Sequence, residues 1–159
     1  VRRMMSSQGC ERAMGVDGAK EMIKKAKRME EQTATGASFT CQNIIDFECD
    51  KPFDVVMSME VLYYLKEEEV ATFLTNLSDK ILTKGGLFVL GLDHFTENES
   101  CHDWAKLNNT RMLLWTAETW QQALESAGFQ IVKGPWRAAE GREDMPSGTL
   151  AFIVRNIAY

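Results

Sequence analysis

The stretch Phe53-Asp54-Val55-Val56-Met57-Ser58-Met59-Glu60-Val61-Leu62-Tyr63-Tyr64-Leu65 decides how this 159-residue chain is read. Residues 53–58, introduced by Pro52, form a near-continuous apolar run. A run of that kind suits a strand covered on both faces, as in a parallel sheet flanked by helices. Beyond Ser58 the apolar positions fit a short helical segment, and Ser58, Glu60, Tyr63 and Tyr64 add polar tips. Two adjacent tyrosines cannot share one helix face, so at least one turns towards a cleft or solvent. The alternative is that both are packing aromatics with wet hydroxyls.

Upstream, residues 12–16 read as a short strand ending at Asp17, and residues 1–6 as the end of a helix. Ala19, Met22, Ile23, Ala26 and Met29 then mark one helix face, with Lys24, Lys25, Lys27 and Arg28 in its second half, where the negative helix end favours them. A loop with Gly36 leads into a strand at 38–41.

Downstream, Glu67, Glu68 and Glu69 open a helix whose buried stripe is Val70, Phe73, Leu74, Leu77 and Ile81, and Lys84-Gly85-Gly86 is expected to end it. Residues 87–92 are a fourth strand. Thr116 caps a helix with the face Trp120, Ala123, Leu124 and Ala127, stopped by Gly128. Residues 129–132 and 149–154 are the last strands, joined by about fifteen residues carrying Gly134, Pro135, Gly141, Pro146 and Gly148. Alternating strands and helices imply an α/β fold with a mainly parallel sheet, and the last two strands pair antiparallel.

Composition agrees with one soluble globular domain over residues 1–159: 45% hydrophobic, 26% charged, and 3 prolines. No apolar run is long enough to span a bilayer, and no signal peptide is visible. Eighteen Lys and Arg against 23 Asp and Glu give a net charge of −5, which disfavours broad binding to nucleic acid or anionic membrane. The four cysteines, Cys10, Cys41, Cys49 and Cys101, lack C-x-x-C spacing and read as reduced cytoplasmic thiols, most of them packing residues.

In open sheets of this type ligands bind beyond the carboxyl ends of the strands. Asp17 lies at such an end and fits either a turn acid or an acceptor for both hydroxyls of a ribose. Asn43 and Ile44 follow the second strand and suit the edge and face of an adenine, or a loop asparagine satisfying its own backbone. After the fourth strand, Asp93-His94-Phe95-Thr96-Glu97-Asn98-Glu99-Ser100-Cys101-His102-Asp103-Trp104 holds both histidines of the chain. Histidine titrates near neutral pH and is the usual general base. The separation of His94 and His102 is not a metal-binding helix pair, so no metal is expected.

These residues add up to a resemblance. Gly15-Val16-Asp17-Gly18-Ala19, with Met22-Ile23 and Ala26, resembles the second-strand signature of class I S-adenosylmethionine-dependent methyltransferases. Residues 53–65 resemble that family's fourth-strand motif, and Leu82-Thr83-Lys84-Gly85-Gly86-Leu87-Phe88-Val89 its turn into the fifth strand. The stretch from Gly91 to Trp104, with Gly148-Thr149-Leu150, resembles one subgroup of small methyltransferases.

The resemblance implies a Rossmann-like sheet and S-adenosylmethionine as cofactor. By position, Asp17 and Gly18 meet the ribose and Asn43 and Ile44 the adenine. Asn43 stands where the family usually has an Asp. Ser58 and Met59 line the methionine end. It implies methyl transfer to a small-molecule acceptor, with His94 as first candidate for a base and His102, Glu60 and Tyr64 as others. The family's Gly-x-Gly-x-Gly loop precedes the helix in which this chain opens, at Val1-Arg2-Arg3. The chain is therefore expected to be truncated at its N-terminus, to lack the central first strand, and to bind the cofactor weakly or not at all. Two other functions remain open: a non-catalytic methyltransferase-like binding module, and a nicotinamide-binding oxidoreductase, which an acid at position 17 would also serve.

Overall fold

A computed structural model describes Met5 and residues 10–107, 109–138 and 148–158. The chain forms two compact units, Val1–Phe47 and Glu48–Tyr159.

In the first unit, β1 (Met14–Asp17) and β2 (Ser38–Cys41) pair in parallel, with Met14 opposite Ser38 and Asp17 opposite Cys41. The helix between them, α1 (Lys20–Thr33), completes a β-α-β unit. It runs past the predicted stripe, so the basic residues do not fall in its last turn. Of the stripe only Ile23 is fully buried, while Met22 and Met29 are 56% and 39% exposed. The helix closes without glycine. Ala34 takes the left-handed conformation at φ 48°, and the Glu30 carboxylate accepts from the Thr35 hydroxyl (2.8 Å) and the Gly36 amide (2.7 Å). Desolvation pushes the Glu30 carboxyl up, but those bonds outweigh it and leave the group below the ordinary glutamate range. Of residues 1–6, Met5 is helical and the others lie outside the described residues.

The second unit holds a four-stranded sheet in the order β3 (Phe53–Met59), β4 (Leu82–Leu92), β6 (Thr149–Asn156), β5 (Phe129–Ala138). β3 and β4 are parallel, and β6 is antiparallel to both β4 and β5, as the sequence implied. Among the described residues β1 and β3 are each hydrogen-bonded on one side only.

Three local expectations are corrected. Lys84-Gly85-Gly86 does not end a helix. Helix α2 (Glu67–Asn76) gives way to a wide helical turn, Leu77–Ile81, and the glycines lie inside β4. There Phe53 faces Leu82 but Val55 faces Leu87, so residues 83–86 bulge out, with Gly85 at φ 80°. Gly134 and Pro135 likewise belong to β5, not to the connection. Gly134 sits at φ 115°, and a Cβ there would stand 2.6 Å from the Ala151 carbonyl oxygen. Gly141 and Pro146 lie outside the described residues. Finally, β3 is not covered on both faces: Val55 and Met57 are 39% and 55% exposed. Apolar composition shows that a strand tolerates burial, not that a layer covers it.

The core of this unit forms where the period predicts. Val70, Phe73, Leu74, Leu77 and Ile81 are buried, as are Trp120 and Leu124 of α4 (Ala117–Ser126). Between β4 and α4 lies α3, a single turn (Trp104–Leu107). Thr116 caps α4 by accepting from the Thr119 amide at 3.0 Å. Gly128 follows the helix at φ 83°. Phe88 lies fully buried between Phe73 (6.3 Å) and Phe129 (6.1 Å).

Asn156 pins the end of β6. Its buried amide donates to the Ser78 (2.7 Å) and Leu82 (3.1 Å) carbonyls, and its oxygen accepts from the Ala158 amide (3.0 Å). Asn156→Leu strands those buried partners and is expected to cost about 1–3 kcal/mol in urea unfolding; an unchanged midpoint would remove this role.

All four cysteines are free, but only Cys101 is buried, and Cys41 is exposed. Among the described residues no helix is long and apolar enough to cross a membrane.

Candidate functional site

The predicted site residues divide between the two units. In the first, Asp17 and Asn43 lie beyond the carboxyl ends of the parallel strands β1 and β2. One oxygen of Asp17 accepts from the Ala19 amide at 2.7 Å, which sets the turn into α1. Its second oxygen has no partner among the described residues, and the side chain is exposed. Gly18 faces open space, since a Cβ there would meet nothing within 4 Å. Asn43 accepts from the Ile45 amide at 3.2 Å and caps the short turn Ile44–Asp46, which is the backbone role its loop position allowed. That role uses its oxygen and leaves the amide hydrogens to donate. Ile44 is half-buried on the same turn. An unpaired carboxylate oxygen, an amide donor and an apolar side chain at one sheet edge fit the diol, ring edge and ring face of an adenosine.

In the second unit, Ser58 is buried near the end of β3, and Met59 is exposed. The Met59 side chain lies across Gly91 of β4, so closely that a Cβ on Gly91 would overlap it. Glu60 then turns the chain in the left-handed region, at φ 58°. Its amide donates to the Gly91 carbonyl at 2.9 Å, and its carboxylate accepts from the Asp93 amide at 2.5 Å. Glu60 thus ties the ends of β3 and β4 together. Burial raises its carboxyl above the ordinary glutamate range, and the neighbouring Asp93 charge adds to that against the Asp93 amide bond.

The two tyrosines part as their adjacency required. Tyr63 is buried and Tyr64 is 50% exposed, with ring centroids 4.8 Å apart. Burial, then the Glu60 and Tyr64 neighbours, push the Tyr63 hydroxyl far up, so it stays protonated. The Tyr63 ring also lies 5.6 Å from that of His94.

His94 is 3% exposed, and its Nδ1 has no hydrogen-bond partner. Burial, followed by the charge of His102, holds its pKa below the ordinary histidine value. A hydrogen bond to the Cys101 backbone works in the opposite sense, so the carbonyl accepts from the imidazole. With Nδ1 unpartnered, the proton of the neutral ring is assigned to Nε2, and Nδ1 carries the lone pair. His102 is placed differently. It is exposed, and its Nε2 meets the Thr96 carbonyl at 2.8 Å, so it serves the loop first.

Sequence reasoning missed Asp93 as a site residue, although it stood directly after the apolar run of β4. It also missed Tyr63, because nothing in a Tyr-Tyr pair says which ring turns inward. Glu97, inside the acidic stretch, proves to hold the start of α4 by accepting from the Ala117 amide at 3.0 Å. Among the described residues no group of three or more His, Cys, Asp or Glu could hold a metal ion.

Residues 1–86 match a family model described as a methyltransferase domain. Among solved structures, the chain resembles one from the complex between the Haloferax volcanii Trm112 methyltransferase activator and a methyltransferase. That likeness has a TM-score of 0.81 and 23% identity, over 99% of this chain and 77% of the other. The N-methyltransferase NodS from Bradyrhizobium japonicum WM9, in complex with S-adenosyl-L-homocysteine, gives 0.72 and 21% over 98% and 72%. The [4+2]-cyclase SpnF gives 0.75 and 13% over 99% and 71%. At such identities these likenesses show the fold alone. No curated protein matches the chain significantly. The family match covers more than half of the sequence, and the parallel strands with an antiparallel C-terminal pair agree with it: the chain belongs to the class I S-adenosylmethionine-dependent methyltransferase family.

Proposed function

We propose that the protein transfers a methyl group from S-adenosylmethionine to a small-molecule acceptor. The observation that carries the reading is Asp17, whose exposed carboxylate keeps one oxygen unpartnered at the carboxyl end of β1 while the other is fixed by Ala19. That geometry presents acceptors to a diol. Asp17 and Gly18 hold the ribose, the Asn43 amide and Ile44 side chain hold the adenine edge and face, and Ser58 and Met59 line the methionine end. The cofactor supplies a methyl already activated on a sulfonium. The residues of the chain therefore mainly orient the acceptor, exclude water and take up a proton. His94 takes that proton on Nδ1, the nitrogen left without a partner. Glu60, Tyr64 and His102 support it: Glu60 by joining the strand ends, Tyr64 by its half-exposed ring, and His102 by holding the loop. Four free cysteines suit the reducing cytoplasm.

Calorimetry with S-adenosylhomocysteine on the full natural protein tests the reading. Asp17→Ala is expected to weaken binding about 10–100-fold, the scale of losing charged hydrogen bonds to a diol. An unchanged affinity would reject the ribose role, and no binding by the natural protein would reject the methyltransferase reading. No observation favours a non-catalytic module. The nicotinamide reading has no support once the family is known.

A further inference from the structure

Two peptide units lead the chain into His94, and a side chain grips each of them. The Asp93 amide donates to the Glu60 carboxylate at 2.5 Å. The Asp93 carbonyl accepts from the Asn98 side-chain amide, also at 2.5 Å. These two groups flank the soft dihedrals of Asp93, so the direction of the backbone at the root of His94 is held from both sides. The Asp93 carboxylate meets the same Asn98 amide only at 3.4 Å. Asn98 therefore holds the main chain rather than the acid.

Asn98 is 1% exposed and makes a second set of bonds. Its backbone amide donates to the Phe95 carbonyl at 3.0 Å, and its carbonyl accepts from the Cys101 amide at 3.1 Å and the Cys101 thiol at 2.9 Å. Cys101 is also the residue whose backbone acts on the His94 ring by hydrogen bonding. A single buried asparagine thus links the main chain at the root of His94 to the main chain that acts on its ring. Glu60, the other grip, stands at φ 58°, a region that glycine enters freely and glutamate does not. Strain of this kind persists where the surrounding contacts over-determine it. A turn alone would be better served by glycine, so the Glu60 side chain is what the position adds. Its bond to the Asp93 amide needs an acceptor oxygen and not a charge.

We propose that Asn98 and Glu60 are positioning residues for His94, the one as donor and the other as acceptor, which clamp the Asp93 peptides and so keep the imidazole in its buried place against Tyr63. Neither takes up the proton itself. That the imidazole so held acts as a base rests on the function proposed above; that the clamp holds it does not.

NMR titration of the His94 imidazole in the full chain tests this. Burial, then the His102 charge, lowers the pKa of that ring, while the Cys101 backbone and the Asp93 charge raise it. Asn98→Leu keeps the volume and loses the donor. Glu60→Gly relieves the backbone strain and loses the acceptor. Each is expected to loosen the loop, wet the ring and move its pKa up towards the ordinary histidine value. Removing the Glu60 charge would by itself move it the other way or not at all, so charge does not account for a rise. Glu60→Gly should also speed solvent exchange of the Asp93 amide about tenfold or more. Glu60→Gln keeps an acceptor oxygen and should leave both readouts as in the natural chain. Asn156→Leu weakens the same unit at the end of β6 and should leave the His94 titration unmoved, which separates positioning from general loss of stability. An unmoved titration in Glu60→Gly or in folded Asn98→Leu, or an equal rise in Glu60→Gln or Asn156→Leu, would overturn the proposal. Should Asn98→Leu fail to fold, the two Glu60 variants decide it. Methyl transfer unaltered by His94→Gln counts against the base and leaves the clamp standing.

Discussion

Phe88→Ala lowers the stability of the second unit by about 3–5 kcal/mol, read as a large fall in its urea or thermal unfolding midpoint. Phe88 sits in β4, between the partner strands β3 and β6, and is fully buried. Its ring joins Phe73 of α2 on one side to Phe129 of β5 on the other. Truncation removes the ring's burial and leaves a cavity lined from both a helix and a distant strand, so no single neighbour can relax into it. Against a typical native margin of about 5–15 kcal/mol, that loss leaves the unit barely folded. A decrease below about 1 kcal/mol would mean that these three rings do not form the centre of the core. Val132→Ala on β5, where the side chain is half-exposed, is the comparison and should change little.

The second large effect concerns chemistry. His94→Gln is expected to lower kcat/KM for methyl transfer by about 10²–10⁴-fold, the range for losing a positioned base, while S-adenosylhomocysteine binds as before. The base must be neutral to accept a proton. Burial first, then the charge of His102, depress the His94 pKa, so the neutral form persists below the ordinary value of about 6.5. The activity of the natural protein should therefore stay level through neutrality and fall only on further acidification. The variant should lack that acid limb.

The same titration touches stability. A histidine whose folded pKa is depressed contributes stability that is present above the unfolded value and is lost as pH falls through the folded one. His94→Gln should remove that component of acid sensitivity. His102→Gln removes only the loop contact to the Thr96 carbonyl and the charge beside His94, and should lower kcat/KM far less than His94→Gln does. Equal losses in the two variants would move the base away from residue 94.

Where helical period and caps acted locally, the fold was legible. The stripe Val70-Phe73-Leu74-Leu77-Ile81 is buried, Thr116 caps its helix, and the strand at residues 38–41 falls where it was read. These features depend on neighbours three or four residues away, which a linear reading sees. The Gly85-Gly86 and Gly134-Pro135 pairs were misread because both are breakers in isolation. Only pairing with another strand shows whether a breaker ends an element or bulges within it. Likewise Glu30 closes α1 through its carboxylate, a solution invisible to a search for C-terminal glycine.

The site shows the same division. The residue types at the strand ends, with Asp17, Asn43, Glu60, Tyr64 and His94 among them, were determined by the sequence, and so was the family. Tertiary structure alone decided which tyrosine is buried, that His94 rather than His102 is buried, and that Glu60 and Asp93 meet across two strands. The reason is range. A residue's chemistry and helical period are properties of the chain, whereas burial, desolvation and the meeting of charges distant in sequence exist only once the sheet has set its register.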